Sequence, residues 1–290
     1  VEKFVALSAS GVAFGAVLSL VALGFLVLYK ATGVINFAHG DLVTLGAYLA
    51  VWGSTSVGLP IVVAYLLSLV VMFTLGMGLE RIAYAPLRKR PPFAAVIATL
   101  AAAIAIRGGI AVWQGSNPQS LRSPVGDHVV TIAGARIAEQ RLVIVAVAAV
   151  AVLAVVALFQ RTGFGRSLRA LGADPETARL MGVRTGRVAM VTFGLSTLLA
   201  ALAGILVAPL TSVDLNFGFS LMVTAFAAAV LGGFTSLGGV VLGSLLIGLV
   251  QQLVGAYLLP DYASTLPFVL LFLVIATKPG GLVSLQRARV

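Results

Sequence analysis

Cysteine is missing from this chain and histidine occurs only twice, which excludes disulfides, thiol chemistry and any thiolate-held metal. Acids are almost as scarce, nine Asp and Glu in 290 residues, and charged residues of both signs make up only 10% of the sequence, against about 25% in ordinary soluble domains. No Gly-x-x-x-x-Gly-Lys-Ser/Thr loop occurs, so this sequence carries no phosphate-binding loop of that kind. What fills the space instead is aliphatic: 60% of residues are hydrophobic and the mean hydropathy is +1.11, the profile of a polytopic membrane protein. The net charge of +10 is not the footprint of a nucleic-acid binder, because the aromatic-interleaved basic surface such proteins use is absent. In a membrane protein that excess records the basic bias of cytoplasmic loops.

Apolar runs long enough to cross a bilayer, at about 20 residues each, fall near 4 to 28, 33 to 52, 59 to 79, 93 to 114, 141 to 159, 188 to 210, 220 to 236, 239 to 258 and 264 to 277. The expected fold is therefore all-α and polytopic, one transmembrane domain over 1–290 with about nine transmembrane segments, eight to ten being compatible. The first run is too long for a signal-peptide core and is counted as a span. Basic residues then set the orientation. Arg81, Arg88, Lys89 and Arg90 in one loop, six arginines between 160 and 187, and Lys278, Arg287 and Arg289 in the tail share one side. The opposite loops offer Arg122 and Arg136, with Arg141 at the edge. This places the N-terminus outside and the C-terminus in the cytoplasm.

One stretch breaks the aliphatic monotony. Gly33-Val34-Ile35-Asn36-Phe37-Ala38-His39-Gly40-Asp41 puts an amide, an imidazole and a carboxylate within six positions, bracketed by Gly33 and Gly40. Glycine at both ends predicts backbone that leaves helical geometry, and irregular polar backbone at membrane depth is tolerated only inside protein or beside a water-filled cavity. Residues 32 to 48 thus read as an interrupted segment, with Asn36, His39 and Asp41 either on a translocation route or bracing helix ends. An unpaired Asp at the bilayer centre costs about 2.5–3.5 kcal/mol, so Asp41 needs a partner. His39 is the nearest in sequence, although a spacing of two is poor for one helical face. In the second half, Gly232, Gly233, Thr235 and Ser236, before Gly238 and Gly239, repeat the theme, either as a second broken segment or as small residues that let helices pack tightly.

The loop from 160 to 187 carries the features of a short helix between two glycine-rich hinges. Asp174 suits the N-cap, Pro175 the first helical position, Glu176 the positive end, and Gly182 the stop. Ala178, Leu180 and Met181 give it a small apolar face. Basic residues alone would be explained by anionic lipid; a capped two-turn helix predicts a docking element for a cytoplasmic partner. In the external loop 115–140, Val129 to Ile132 followed by Gly134 predicts a small hairpin, and His128 reads as a solvated surface residue. Gln251 and Gln252 predict amide bonds to a neighbouring helix, Arg107 a snorkelling side chain, and Glu80 with Arg81 a local ion pair.

The Gly33–Asp41 block with Gly46-Ala47-Tyr48 resembles the signature of the shorter permease subunit of ATP-driven branched-chain amino-acid importers. Glu80 to Arg88, Gly163 to Gly182, Ala227 to Gly239 and Lys278 to Leu282 agree in order and spacing, so the resemblance spans nearly the whole chain. It implies an alternating-access importer of the prokaryotic inner membrane. The implied partners are a second, longer permease, two cytoplasmic ATPase subunits that carry ATP and Mg, and an extracytoplasmic binding protein. Gly172, Asp174, Glu176, Ala178, Arg179, Leu180, Met181 and Gly182 become the coupling helix seated on an ATPase, and the chain itself binds no cofactor and is no enzyme. Import of urea or short amides by a similar permease fits the same residues. A proton-coupled secondary transporter with His39 and Asp41 as relay is the alternative from another class.

Overall fold

In a computed structural model, the described residues are 2–88, 90–126, 128–132, 134–234, 236–258, 262–263 and 265–278. They form eleven α-helices and one hairpin: α1 (Glu2–Thr32), α2 (His39–Thr55), α3 (Ile61–Leu79), α4 (Pro92–Gln114), β1 (Val129–Ile132), β2 (Ala135–Ala138), α5 (Glu139–Arg161), α6 (Gly163–Ala173), α7 (Pro175–Leu180), α8 (Thr185–Val207), α9 (Phe217–Gly232), α10 (Leu237–Tyr257) and α11 (Leu266–Thr277). Six of them, α1, α3, α4, α5, α8 and α10, are long and apolar enough to cross a membrane. Three further predicted runs correspond to shorter helices, α2 with 17 residues, α9 with 16 and α11 with 12.

Helix ends follow the local chemistry. Gly33 closes α1 at φ +68° while its N–H donates to the Tyr29 carbonyl at 2.8 Å, the left-handed stop that glycine takes without penalty. Pro91 and Pro92 open α4, and Gly115 at φ +79° ends it. Beyond Leu79 the helix loosens into a π-helical turn, Glu80–Tyr84, and then a 3₁₀ turn over Ala85–Leu87 where Pro86 cannot continue the ladder. That widened turn brings Arg88 onto Glu80, so the ion pair expected between Glu80 and its neighbour Arg81 forms with Arg88 instead.

The chain divides into two compact units. One comprises Gly24–Arg122 and Ala151–Ser220. Here α2, α3 and α8 pack on one another through small residues: a Cβ added at Gly46 would lie 2.6 Å from the Ala201 Cα. Ser68 Oγ donates to the Gly46 carbonyl and Thr197 Oγ to the Met72 carbonyl, each at 2.8 Å, cross-linking the three helices. Lipid offers helices no hydrophobic drive to associate, so close backbone approach and interhelical hydrogen bonds take its place. A buried cluster of Ala47, Tyr48, Val51, Ile110, Ile205 and Val213 adjoins that contact, and the Tyr48 hydroxyl donates to the Val213 carbonyl at 3.3 Å.

The other unit comprises Val1–Leu23, Ser123–Val150 and Leu221–Val290. The first half of α1 meets α10 so closely that a Cβ at Gly15 would stand 2.8 Å from the Leu245 Cα. Gly243 lies against α9 in the same way and Gly248 against Gly11 and Gly15 of α1, so these two second-half glycines act in packing. The hairpin predicted in loop 115–140 is present, antiparallel with Val129 opposite Ala138 and Ile132 opposite Ala135. The tail beyond Lys278, with Arg287 and Arg289, lies outside the described residues, as do Thr235, Lys89 and Asp127.

Candidate functional site

The polar stretch near the start of the chain is built around the N-terminus of α2. Asn36 braces the start of that helix: its Oδ1 accepts the Ala38 N–H at 3.0 Å and its carbonyl the His39 N–H at 3.3 Å, a turn that launches α2. The non-helical break is confined to residues 33–38. Gly40, read as the far hinge, sits inside α2, where it is buried with no positive φ. Its carbonyl is closely approached by Gly218, where a side chain would run into it. Thr44 Oγ1 accepts the Gly218 N–H at 2.9 Å and holds the same contact.

Asp41 lies in the first turn of α2, where the positive end of the helix favours a carboxylate. Its side chain is only 2% exposed and its Oδ1 accepts from Arg107 Nε on α4 at 2.8 Å. Arg107 therefore does not snorkel, and Asp41 is not paired with His39. The second oxygen, Oδ2, is buried with no hydrogen-bond partner among the described residues. The Arg107 guanidinium also stands 5.5 Å from the Phe219 ring centre. A cavity of about 490 Å³ opens beside this pair, lined by Phe37, Leu100, Ile104, Leu215 and Phe219 among others.

His39 looks elsewhere. Its ring is fully buried 4.4 Å from the Phe25 ring, in the space that Gly24 leaves: a Cβ there would come within 2.7 Å of Cε1. Ser196 Oγ donates to the Gly24 carbonyl at 2.9 Å and makes a long 3.4 Å contact with His39 Nδ1. His39 and Asp41 thus serve different neighbours, poor geometry for a shared proton relay.

Between α9 and α10, Gly233 turns the chain at φ +94° and Ser236 caps α10, its Oγ accepting the Gly239 N–H at 3.2 Å. A side chain on Gly232 would strike the Gly239 carbonyl. Gln251, expected to bond a neighbouring helix, has its Oε1 buried and unpartnered among the described residues.

The segment 160–187 is more ordered than two hinges around a helix. Its first part, read as a hinge, is the helix α6, capped by Thr162 whose Oγ1 accepts the Gly165 N–H at 3.1 Å, and it buries Leu168 and Leu171. Asp174 then caps α7 as the sequence predicts. Oδ1 accepts the N–H groups of Glu176 at 2.9 Å and Thr177 at 3.2 Å, and Oδ2 accepts the Thr177 hydroxyl. The Thr177 hydroxyl, followed by the two amides, holds the Asp174 carboxyl below its ordinary value of 3.8. At the other end Gly182, at φ +83°, donates to the Arg179 carbonyl and Val183 N–H to the Ala178 carbonyl, both at 3.0 Å, a Schellman stop.

Of the three apolar residues of α7 and its C-cap, Ala178 is buried, whereas Leu180 and the C-cap Met181 are 87% and 80% exposed. The apolar face is thus split, one residue anchoring inward and two presented outward. Behind α7 lies a cavity of about 620 Å³, lined by Lys30, Arg88, Arg169 and Arg179 together with Tyr29 and Tyr84.

The Asp41–Arg107 pair is not what sequence neighbourhood suggests for either residue. The available signal is stoichiometric: one acid within an apolar run, 33 to 52, and one cation well inside another, 93 to 114, each costly alone.

The chain matches, over residues 7–275, the family model described as branched-chain amino acid transport system / permease component. It is 32% identical to the high-affinity branched-chain amino acid transport system permease protein LivH of Escherichia coli (strain K12), over 94% of this chain and 93% of that one. Identity to the corresponding permease protein BraD of Pseudomonas aeruginosa is 30%, with the same coverage of both chains. Among solved structures it is similar in fold to PsaBC from Streptococcus pneumoniae in complex with Fab, with a TM-score of 0.50 at 13% identity over 92% of this chain and 90% of that one.

Proposed function

The chain belongs to the family of branched-chain amino acid transport permease components, and from that membership we propose that it is a membrane subunit of an ATP-driven importer of branched-chain amino acids. The observation that carries the reading is α7, a six-residue helix fixed at both ends that presents Leu180 and Met181 to the outside. A chain with no nucleotide loop of its own needs such a point at which force from a separate ATPase can enter. Two cytoplasmic ATPase subunits, a second and longer permease, and an extracytoplasmic binding protein complete the assembly. About nine crossings of the inner membrane, the N-terminus outside and the C-terminus inside, put 160–187 on the ATPase side.

In this mechanism ATP binding closes the ATPase pair and moves α7, with α6 packed beside it, relative to the helices of the other permease. The equilibrium between inward- and outward-facing states shifts, the binding protein releases its ligand into the pathway, and hydrolysis resets it. Selectivity belongs chiefly to the binding protein, so the permease needs only weak contacts with the cargo.

The test is uptake by the complex that co-purifies with this chain in mild detergent, reconstituted with its binding protein into liposomes. Labelled leucine should enter only with ATP, and a protonophore should leave the rate unchanged. Uptake by this chain alone, collapsing with the protonophore, would overturn the reading, and entry of labelled urea in place of leucine would overturn the choice of cargo.

A further inference from the structure

The cavity beside α2 and α4 has a make-up that helix packing does not require. Its volume, about 490 Å³, falls within the roughly 300–1,000 Å³ of small-molecule sites. Its wall is mostly apolar, and its charged groups are Asp41 and Arg107. Asp41 spends Oδ1 on Arg107 and leaves Oδ2 buried without a partner among the described residues. Arg107 in turn spends Nε; no hydrogen bond from its two terminal nitrogens to another described residue is present, and its side chain is 36% exposed. An unspent acceptor and unspent donors therefore stand side by side, with no net charge, above Leu100, Ile104, Leu215 and Phe219.

We infer that this pair and its apolar hollow form the contact site for a zwitterionic, aliphatic amino acid in transit. The α-ammonium donates to Asp41 Oδ2, the α-carboxylate accepts from the terminal nitrogens of Arg107, and the branched side chain lies against Leu100, Ile104, Leu215 and Phe219. Charge-assisted hydrogen bonds of this kind are the strong ones, and a buried carboxylate oxygen left unpaired is the group with most to gain from a ligand. A simple anion or cation would satisfy one partner and oppose the other, whereas a zwitterion matches both. Urea could bond the two charged groups but would leave the apolar wall unused.

The inference rests on the import reading above, and the test separates the two. Asp41→Asn/Arg107→Gln removes both charges without stranding either. Ile104→Trp fills the hollow from its exposed rim and leaves the pair untouched. In complexes assembled with the ATPases, both variants are expected to lose leucine uptake roughly 10- to 100-fold, the range that follows from losing a hydrogen bond to a charged group. Binding of labelled leucine to wild-type complex stripped of binding protein should be displaced by leucine far better than by leucinamide, which lacks the carboxylate, or 4-methylpentanoate, which lacks the ammonium. If wild type pumps leucine and both variants pump it at the same rate, the pair is only a structural brace and the site is refuted. Should the double variant fail to assemble, Ile104→Trp and the displacement series decide. A wild-type complex that moves no leucine at all refutes the import reading instead.

Discussion

The two halves of the Asp41–Arg107 pair are not equally replaceable, and the difference can be worked from their exposure. The Asp41 side chain is 2% exposed and cannot reach water, while Arg107 is 36% exposed on a long stem. Arg107→Leu strands a carboxylate within the bilayer, at about 2.5–3.5 kcal/mol on the insertion scale. Asp41→Asn keeps a carbonyl oxygen for Nε and leaves a guanidinium able to extend toward the interface, a loss of about 1 kcal/mol, near that of one ordinary hydrogen bond. Arg107→Leu should therefore be the more damaging by about 2 kcal/mol, and adding Asp41→Asn to it should recover most of that loss. Thermal unfolding of the complex in detergent reads this directly, as the order in which the three variants melt. Equal melting of the two single variants, or a double variant worse than Arg107→Leu, would show that Asp41 is not an ionised group dependent on Arg107.

Three further outcomes follow from other parts of the chain. Asp174 has its carboxyl pKa depressed below 3.8 in the folded state, so its capping contribution is present above that value and fades only as pH falls through the lower folded one. Co-purification of the ATPase should accordingly be unchanged between pH 7 and 5 and in Asp174→Asn, and reduced in Asp174→Ala, which loses the cap. Gly46→Val should destabilise by about 1–3 kcal/mol, the range for overpacking, because its Cβ would meet Ala201 at 2.6 Å; melting temperature checks it. Gly78→Ala, facing open space within α3, should match or slightly exceed wild type in the same assay.

Much of the fold could be read from sequence because it is set locally. Long aliphatic runs become helices wherever lipid leaves the backbone no other way to satisfy its hydrogen bonds, and apart from α2, which starts at His39 rather than near 33, the helices begin and end within a few residues of the expected positions. The α7 cap, its Gly182 stop and the 129–138 hairpin are local too, each decided by neighbours within a few positions. What escaped was decided at a distance or against propensity. Asp41 and Arg107 are 66 positions apart, and no periodicity announces their meeting. His39 owes its burial to Gly24, Phe25 and Ser196 on two other helices. Gly40 reads as a hinge only until Gly218 is seen pressing on its carbonyl. The glycines of 163–172 disfavour a helix by propensity, yet α6 forms because Thr162 caps it and Leu168 and Leu171 are buried. Glu80 meets Arg88 through a π turn, a spacing that an α-helical reading does not offer.

The claim on which the function turns is that α7 touches a separate ATPase, and the absence of cysteine gives it a clean test. Met181→Cys places a single thiol on the exposed face of α7. In the purified, ATP-hydrolysing complex, a short thiol-specific cross-linker should join that thiol to the ATPase subunit, with a yield that changes when nucleotide is added. A transporting complex in which the Met181→Cys thiol is fully accessible to reagent, yet never cross-links to the ATPase in any nucleotide state, would contradict it.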